Sequence, residues 1–230
     1  MVELAAADGI TQIVATPHCS DTYPYSLERN RTQLAALRTA AGARVTLVLG
    51  CDFHLSYENL QALLAEPHTY TINQGPYLLV ELANYAIVPQ LADILHQLRL
   101  KGLIPVVTHP ERNPLLQRRS LKLLQQFVAM GCPVQVTAGS LQGHFGKDAQ
   151  AAVERLLRHQ LVHLVGSDAH NVTRRPPQLS TAYAVVEQNY GVRVAAALFR
   201  DNPSAVIRGA SLPYLPEVTE PRPKRRFWSF

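Results

Sequence analysis

The stretch LVHLVGSDAHN, residues 161–171, closes an apolar run with Asp168 and His170 two positions apart. A carboxylate and an imidazole therefore stand where a strand would give way to a loop. The habit recurs along the chain: TPH ends at His18, GCD at Asp52, VEL carries Glu81, and THPER brings His109, Glu111 and Arg112. One His or Asp in such a place is ordinarily a loop hydrogen-bonder or a helix cap. Five strand ends with the same chemistry point instead to one shared site.

His18, His109 and His170 with Asp52, Glu81 and Asp168 make a mixed nitrogen and oxygen donor set without thiolates, suited to Mn²⁺, Fe²⁺ or Zn²⁺. Six donors are enough for more than one ion, and a carboxylate can bridge two cations. Adjacent cations acidify water and neutralise charge on transferring oxygens, which suits hydrolysis of a phosphate ester. Arg112, three residues after His109, and Arg175, shortly after His170, can offer guanidinium forks to phosphate oxygens; Arg174 reads as solvated. His54, His68, His96, His144, His159 and His163 lack the strand-end placement and read as structural, with His54 close to Asp52.

The elements that must position these groups follow from periodicity. Apolar runs at 11–17, 45–50, 77–83, 104–109, 133–138 and 161–166 are too continuous for half-exposed strands and suit a buried parallel sheet. Helical patterns alternate with them: SLERNRTQLAALRTA, PQLADILHQLRLKG between Pro89 and Gly102, SLKLLQQFVAMG from a capping Ser120 to Gly131, KDAQAAVERLLRHQ and QLSTAYAVVEQNYG. The β-α order predicts an α/β fold with right-handed crossovers. In a barrel of parallel strands the C-terminal strand ends share one face, which gathers the six donors.

Length and composition bound the rest. A chain of 230 residues with 47% hydrophobic residues suits one domain over residues 1–212, followed by a proline-rich basic tail over 213–230. That tail reads as disordered, or as a basic-aromatic foot for a membrane surface or partner. No apolar run approaches the ~20 residues of a membrane span, and a cytoplasmic protein is expected. The formal charge of +5 falls to +1 without Arg222, Lys224, Arg225 and Arg226, so no nucleic-acid footprint is expected. Cys19, Cys51 and Cys132 are widely spaced and none has an arginine six positions on, so thiolate phosphatase chemistry is not indicated.

At IVATPH, LGCDFH, VTHPERN, VTAGSLQGHFG and GSDAHN followed by RRPP, the sequence resembles the bacterial PHP-type protein-tyrosine phosphatases of the CpsB/CapC family, from residue 1 to about 210. The resemblance implies a distorted TIM-like barrel, seven-stranded in the family with six strands visible here. It further implies three metal ions, chiefly manganese, and removal of phosphate from tyrosines of a kinase controlling capsular or exopolysaccharide assembly. By the same resemblance Asp52 bridges two ions, Glu81 and His109 join it on the second, Asp168 serves the first, and His18 and His170 serve the third. Arg112 and Arg175 resemble the phosphate-binding arginines, and the implied reaction is in-line attack by a metal-bridging hydroxide.

Two departures stand out. Asp52 is one methylene shorter than the family's usual glutamate, and nothing before His18 matches the family's opening His-x-His strand and its acidic follower. MVELAAADG reads as the second half of an amphipathic helix, so the expectation is a chain lacking its first strand, with a seam between two sheet edges, fewer ions and weak activity. The rival readings are a small-molecule phosphoesterase such as histidinol phosphatase, and a barrel without ions that acts as a binding partner.

Overall fold

Continuous apolar runs bury both faces of a strand, and here one face meets helices while the other turns inward. The structure, a computed structural model, describes residues 1–118 and 121–217. Among these residues the strands are β1 (Gln12–Ala15), β2 (His18–Cys19), β3 (Thr46–Leu49), β4 (Asp52–His54), β5 (Tyr77–Glu81), β6 (Ile104–Thr108), β7 (Val134–Thr137) and β8 (Leu164–Gly166). Every pairing is parallel: β1 with β3, and a six-stranded sheet in the order β2-β4-β5-β6-β7-β8.

Two of the six expected runs, 11–17 and 45–50, each hold one strand and are followed by a second short strand outside the run. Pro17, which has no N–H to donate, separates β1 from β2, and Gly50 with Cys51 separates β3 from β4. Register survives the break, Ala15 facing Leu49 and His18 facing Asp52. Gly50 N–H donates to Ala15 O at 2.9 Å and Asp52 N–H to Pro17 O at 3.1 Å. Gly50 lets the strands pack closely, since a Cβ there would lie 2.9 Å from Val14 Cγ1 and force that side chain to shift.

The helices that matter here are α1 (Val2–Ala7), α2 (Leu27–Ala41), α3 (Tyr57–Ala65), α4 (Leu91–Leu100), α5 (Pro114–Arg118), α6 (Lys122–Ala129), α7 (Ala138–Leu141), α8 (Lys147–Arg158) and α9 (Ser180–Tyr190). Ser26 caps α2 by accepting Arg29 N–H at 3.3 Å. The capping expected of Ser120 lies outside the described residues. Shorter helical turns between Val192 and Ile207 were not read from the sequence.

Leu78 and Val80 of β5 pack with Phe53, Leu95, Leu98 and Phe127 under the helices. Tyr77 and Leu79 point the other way, with Ile72, Val106, Leu164 and Val206. Period-two alternation therefore yields two apolar layers rather than one wet face.

Among the described residues no ladder joins β8 to β1 or β2. A cleft of about 1120 Å³, lined by Val14, Leu79, Val106 and Leu164 among others, opens between these edges. Asp8, just past α1, reaches α9 beside the same cleft: its Oδ2 accepts Leu179 N–H at 2.6 Å and Ser180 N–H at 3.0 Å. A carboxylate on the first amides of a helix satisfies orphan donors and complements the helix dipole. At the other terminus Asn202 holds Tyr214, accepting its N–H at 3.0 Å and donating to its carbonyl at 2.8 Å. Tyr214 belongs to the tail expected over 213–230, of which residues 218–230 lie outside the described residues. Among the described residues no helix is long and apolar enough to cross a membrane.

Candidate metal and phosphate site

Strand alternation aims the first part of the site. Tyr77, Leu79 and Glu81 occupy one face of β5; Asp52 is directly opposite Leu79, and His18 directly opposite Asp52. All three candidate donors thus face inward, Glu81 at the C-terminal end of β5 and His18 and Asp52 at the starts of β2 and β4, just past β1 and β3, and one donor atom from each lies within 4.8 Å of the others. His18 Nδ1 is 3.2 Å from Asp52 Oδ2 and 3.7 Å from Glu81 Oε2. His109 follows Thr108 and on an extended strand would face the helices. A left-handed backbone, φ 35° and ψ 48°, turns it inward, with Nε2 3.9 Å from Asp52 Oδ2 and 4.0 Å from Glu81 Oε1. Such a conformation costs a non-glycine residue about 1–3 kcal/mol and tends to persist where function needs it.

Burial alone would push the Asp52 carboxyl up. The His109 and His18 imidazoles beside it outweigh burial and hold the group well below the usual carboxylate range. The hydrogen bond to Asp52 raises His18. For His109 burial works downward, and the nearby Asp52 carboxylate overcomes it. Asp52 Oδ1 is buried with no partner. An orphaned carboxylate oxygen beside two imidazoles and a second carboxylate is a donor set that fits a divalent cation.

Loops build the rest. Asp168 also has a left-handed backbone, φ 50°, and its Oδ2 accepts from both Arg112 and Arg175. The loop after β8 is organised by Asn171, whose Oδ1 accepts the N–H groups of Thr173, Arg174 and Arg175 at 3.0, 2.7 and 3.0 Å. His170 N–H donates to Arg175 O at 2.9 Å. The His170 ring lies 6.0 Å from that of His18, so the two parts adjoin. All six predicted donors and both predicted arginines come to one mouth, and Arg174 is exposed.

Three supporting residues were not assigned roles from the sequence. Glu111, 1% exposed, accepts Thr137 N–H at 2.9 Å and the Ser140 hydroxyl at 2.8 Å, tying the loop after β6 to the end of β7. Phe145 lies under both arginines. Asn171 alone had a local signal, since an asparagine beside a loop commonly makes this kind of side-chain turn. The cysteines are all buried and free; burial pushes Cys132 to about 11 and Cys51 far up, whereas the Cys51 hydrogen bond lowers Cys19. His163, read as structural, is buried and accepts Val134 N–H at 3.2 Å.

Fold and site together define an α/β protein of parallel strands with a carboxylate-imidazole cluster and paired arginines at the strand ends. A family model described as capsular polysaccharide synthesis, CpsB/CapC, matches residues 1–208, and the chain belongs to that family. It is 31% identical over 235 residues to the tyrosine-protein phosphatase YwqE of Bacillus subtilis, covering 100% of this chain and 90% of that one. It is 27% identical over 208 residues to the tyrosine-protein phosphatase CpsB of Streptococcus pneumoniae, covering 86% and 85%. A chain from the crystal structures of YwqE and CpsB, described there as unique metal-dependent tyrosine phosphatases, superposes with a TM-score of 0.83. Its identity is 30%, with coverage of 96% of this chain and 91% of that one.

Proposed function

We propose that this chain is a metal-dependent phosphotyrosine phosphatase. The observation that carries the reading is the convergence of Asp52 with His18, His109 and Glu81 beside the arginine pair on Asp168. His18, Asp52, Glu81, His109, Asp168 and His170 would hold divalent ions, manganese by preference and iron or zinc by the same donors. Bound ions supply a nucleophile from water near neutral pH and neutralise phosphoryl charge.

The chain's own residues do the remainder. Arg112 and Arg175 donate to the equatorial phosphate oxygens. Asp52 and Glu81 fix the imidazoles from below. Tyrosine, with a phenol pKa of about 10, leaves with little help from a general acid. None of the thiols serves, because all three are buried.

A polypeptide substrate is favoured over histidinol phosphate by the rim. Tyr23, Tyr57, Tyr85, Val88 and Val172 each follow a strand's C-terminal end and are exposed, Tyr85 by 84%. Tyr23, whose ring lies 5.9 Å from that of His18, places an exposed aromatic group beside the donor cluster, which suits a peptide flanking the phosphotyrosine. The partner in this reading is a tyrosine kinase of capsular or exopolysaccharide assembly in the cytoplasm, and the family's description as capsular polysaccharide synthesis supports the kinase. The test is steady-state hydrolysis of a phosphotyrosine peptide against histidinol phosphate on the manganese-loaded chain. Preference for the peptide supports the proposal, and preference for histidinol phosphate overturns it.

A further inference from the structure

Arg112 and Arg175 come from different loops, and a carboxylate alone is a poor way to pair them for an anion. Every N–H that Asp168 engages is one fewer for phosphate oxygens. Phe145, in the loop between α7 and α8, offers an anchor of another kind. Its ring centroid lies 4.3 Å from Arg112 Cζ and 5.4 Å from Arg175 Cζ. The face of an aromatic ring attracts a guanidinium through its quadrupole and leaves the N–H edge free.

The ring itself is held from behind. A Cβ on Gly139, in α7, would lie 3.0 Å from Phe145 Cε2 and 3.3 Å from His144 Nδ1. The glycine therefore admits the ring against the end of β7, so the shelf is fixed to the sheet rather than to either arginine's loop.

We propose that Phe145 is a positioning residue that seats Arg112 and Arg175 side by side for a phosphoryl group, with Gly139 making room for it. The inference rests on the phosphatase reading for its substrate, yet it concerns phosphate binding and can be measured apart from turnover.

The experiment uses the metal-loaded chain and inorganic phosphate, which has no ring for Phe145 to stack on. Calorimetry gives the phosphate dissociation constant, and phosphotyrosine-peptide kinetics give kcat and KM, for wild type, Phe145→Leu, Phe145→Tyr and Gly139→Ala. Phe145→Leu is expected to weaken phosphate binding and raise KM by roughly five- to twentyfold, with metal content kept and kcat little changed. Phe145→Tyr is expected to restore both to within about twofold. Gly139→Ala, which displaces the ring without removing it, is expected to fall between. Unchanged phosphate affinity in folded Phe145→Leu overturns the inference, even if the peptide KM rises, because the ring then touches substrate and not the arginines' task. Phe145→Tyr as impaired as Phe145→Leu also overturns it. Normal phosphate binding in wild type without peptide turnover removes the phosphatase reading alone, and no phosphate binding removes both.

Discussion

The site has two halves built by different means. His18, Asp52 and Glu81 lie within β2, β4 and β5, so ladder register fixes where they point. Arg112, Asp168, His170 and Arg175 lie beyond strand ends, and their places depend on Asn171, Phe145 and Glu111. Backbone pairing makes the donor cluster a property of the sheet. The arginine half is a property of contacts between loops, which local changes can loosen without disturbing the strands.

The largest effect should come from His109, which stands just past β6 and completes the strand-held donor cluster. His109→Ala removes an imidazole from beside both Asp52 and Glu81 and should lower kcat/KM on the order of a thousandfold or more, together with metal content by elemental analysis. Arg175→Ala touches only the loop half: kcat/KM should fall about a hundredfold with metal content intact. Metal loss of equal size in both variants would erase the distinction between the halves.

Asn171→Ala sharpens it further. It strands three backbone N–H groups, and kcat/KM should fall about tenfold through misplacement of Arg175, while Asn171→Asp, which keeps the acceptor, should stay near wild type. An Asn171→Ala enzyme with normal kcat/KM would mean that the loop holds itself without this turn.

How legible each half was follows the same division. Period-two alternation and turn residues locate Asp52, Glu81 and His18 at strand ends, and the β-α order implies their common face. His109 was legible by type, but the left-handed turn that brings it inward was not, since nothing in THPER announces a positive φ. Phe145 and Glu111 stand within the motifs VTAGSLQGHFG and VTHPERN, but their supporting roles were not legible there because their partners lie on other elements. Asp8 capping α9 is a contact across 171 positions that no local pattern contains. The short strands β2 and β4, which continue beyond Pro17 and Gly50, were not legible as strands.

His163 tests the sheet that both halves share. It precedes β8, and Val134 N–H donates to its Nδ1. Burial pushes it down to about 4, below the value near 6.5 of an unfolded chain, so the unfolded state takes up the proton first as pH falls. Its contribution, about 3 kcal/mol, is complete above pH 6.5 or so and is lost as pH falls toward 4. Denaturation midpoints at pH 7 and pH 5 should differ less in His163→Leu than in wild type; an equal fall in both would assign the acid sensitivity elsewhere. The smallest effect is expected from Cys19→Ser, Cys51→Ser and Cys132→Ser, whose kcat should stay within about twofold of wild type wherever folding is retained.

Metal dependence of phosphotyrosine hydrolysis tests the central claim most directly. The purified chain is stripped with a chelator, its metal content is measured, and turnover of a phosphotyrosine peptide is followed as Mn²⁺ is returned. Loss of activity on stripping, with recovery that tracks bound metal and is absent in His109→Ala, is the predicted result. Undiminished peptide hydrolysis by metal-free protein would contradict the account.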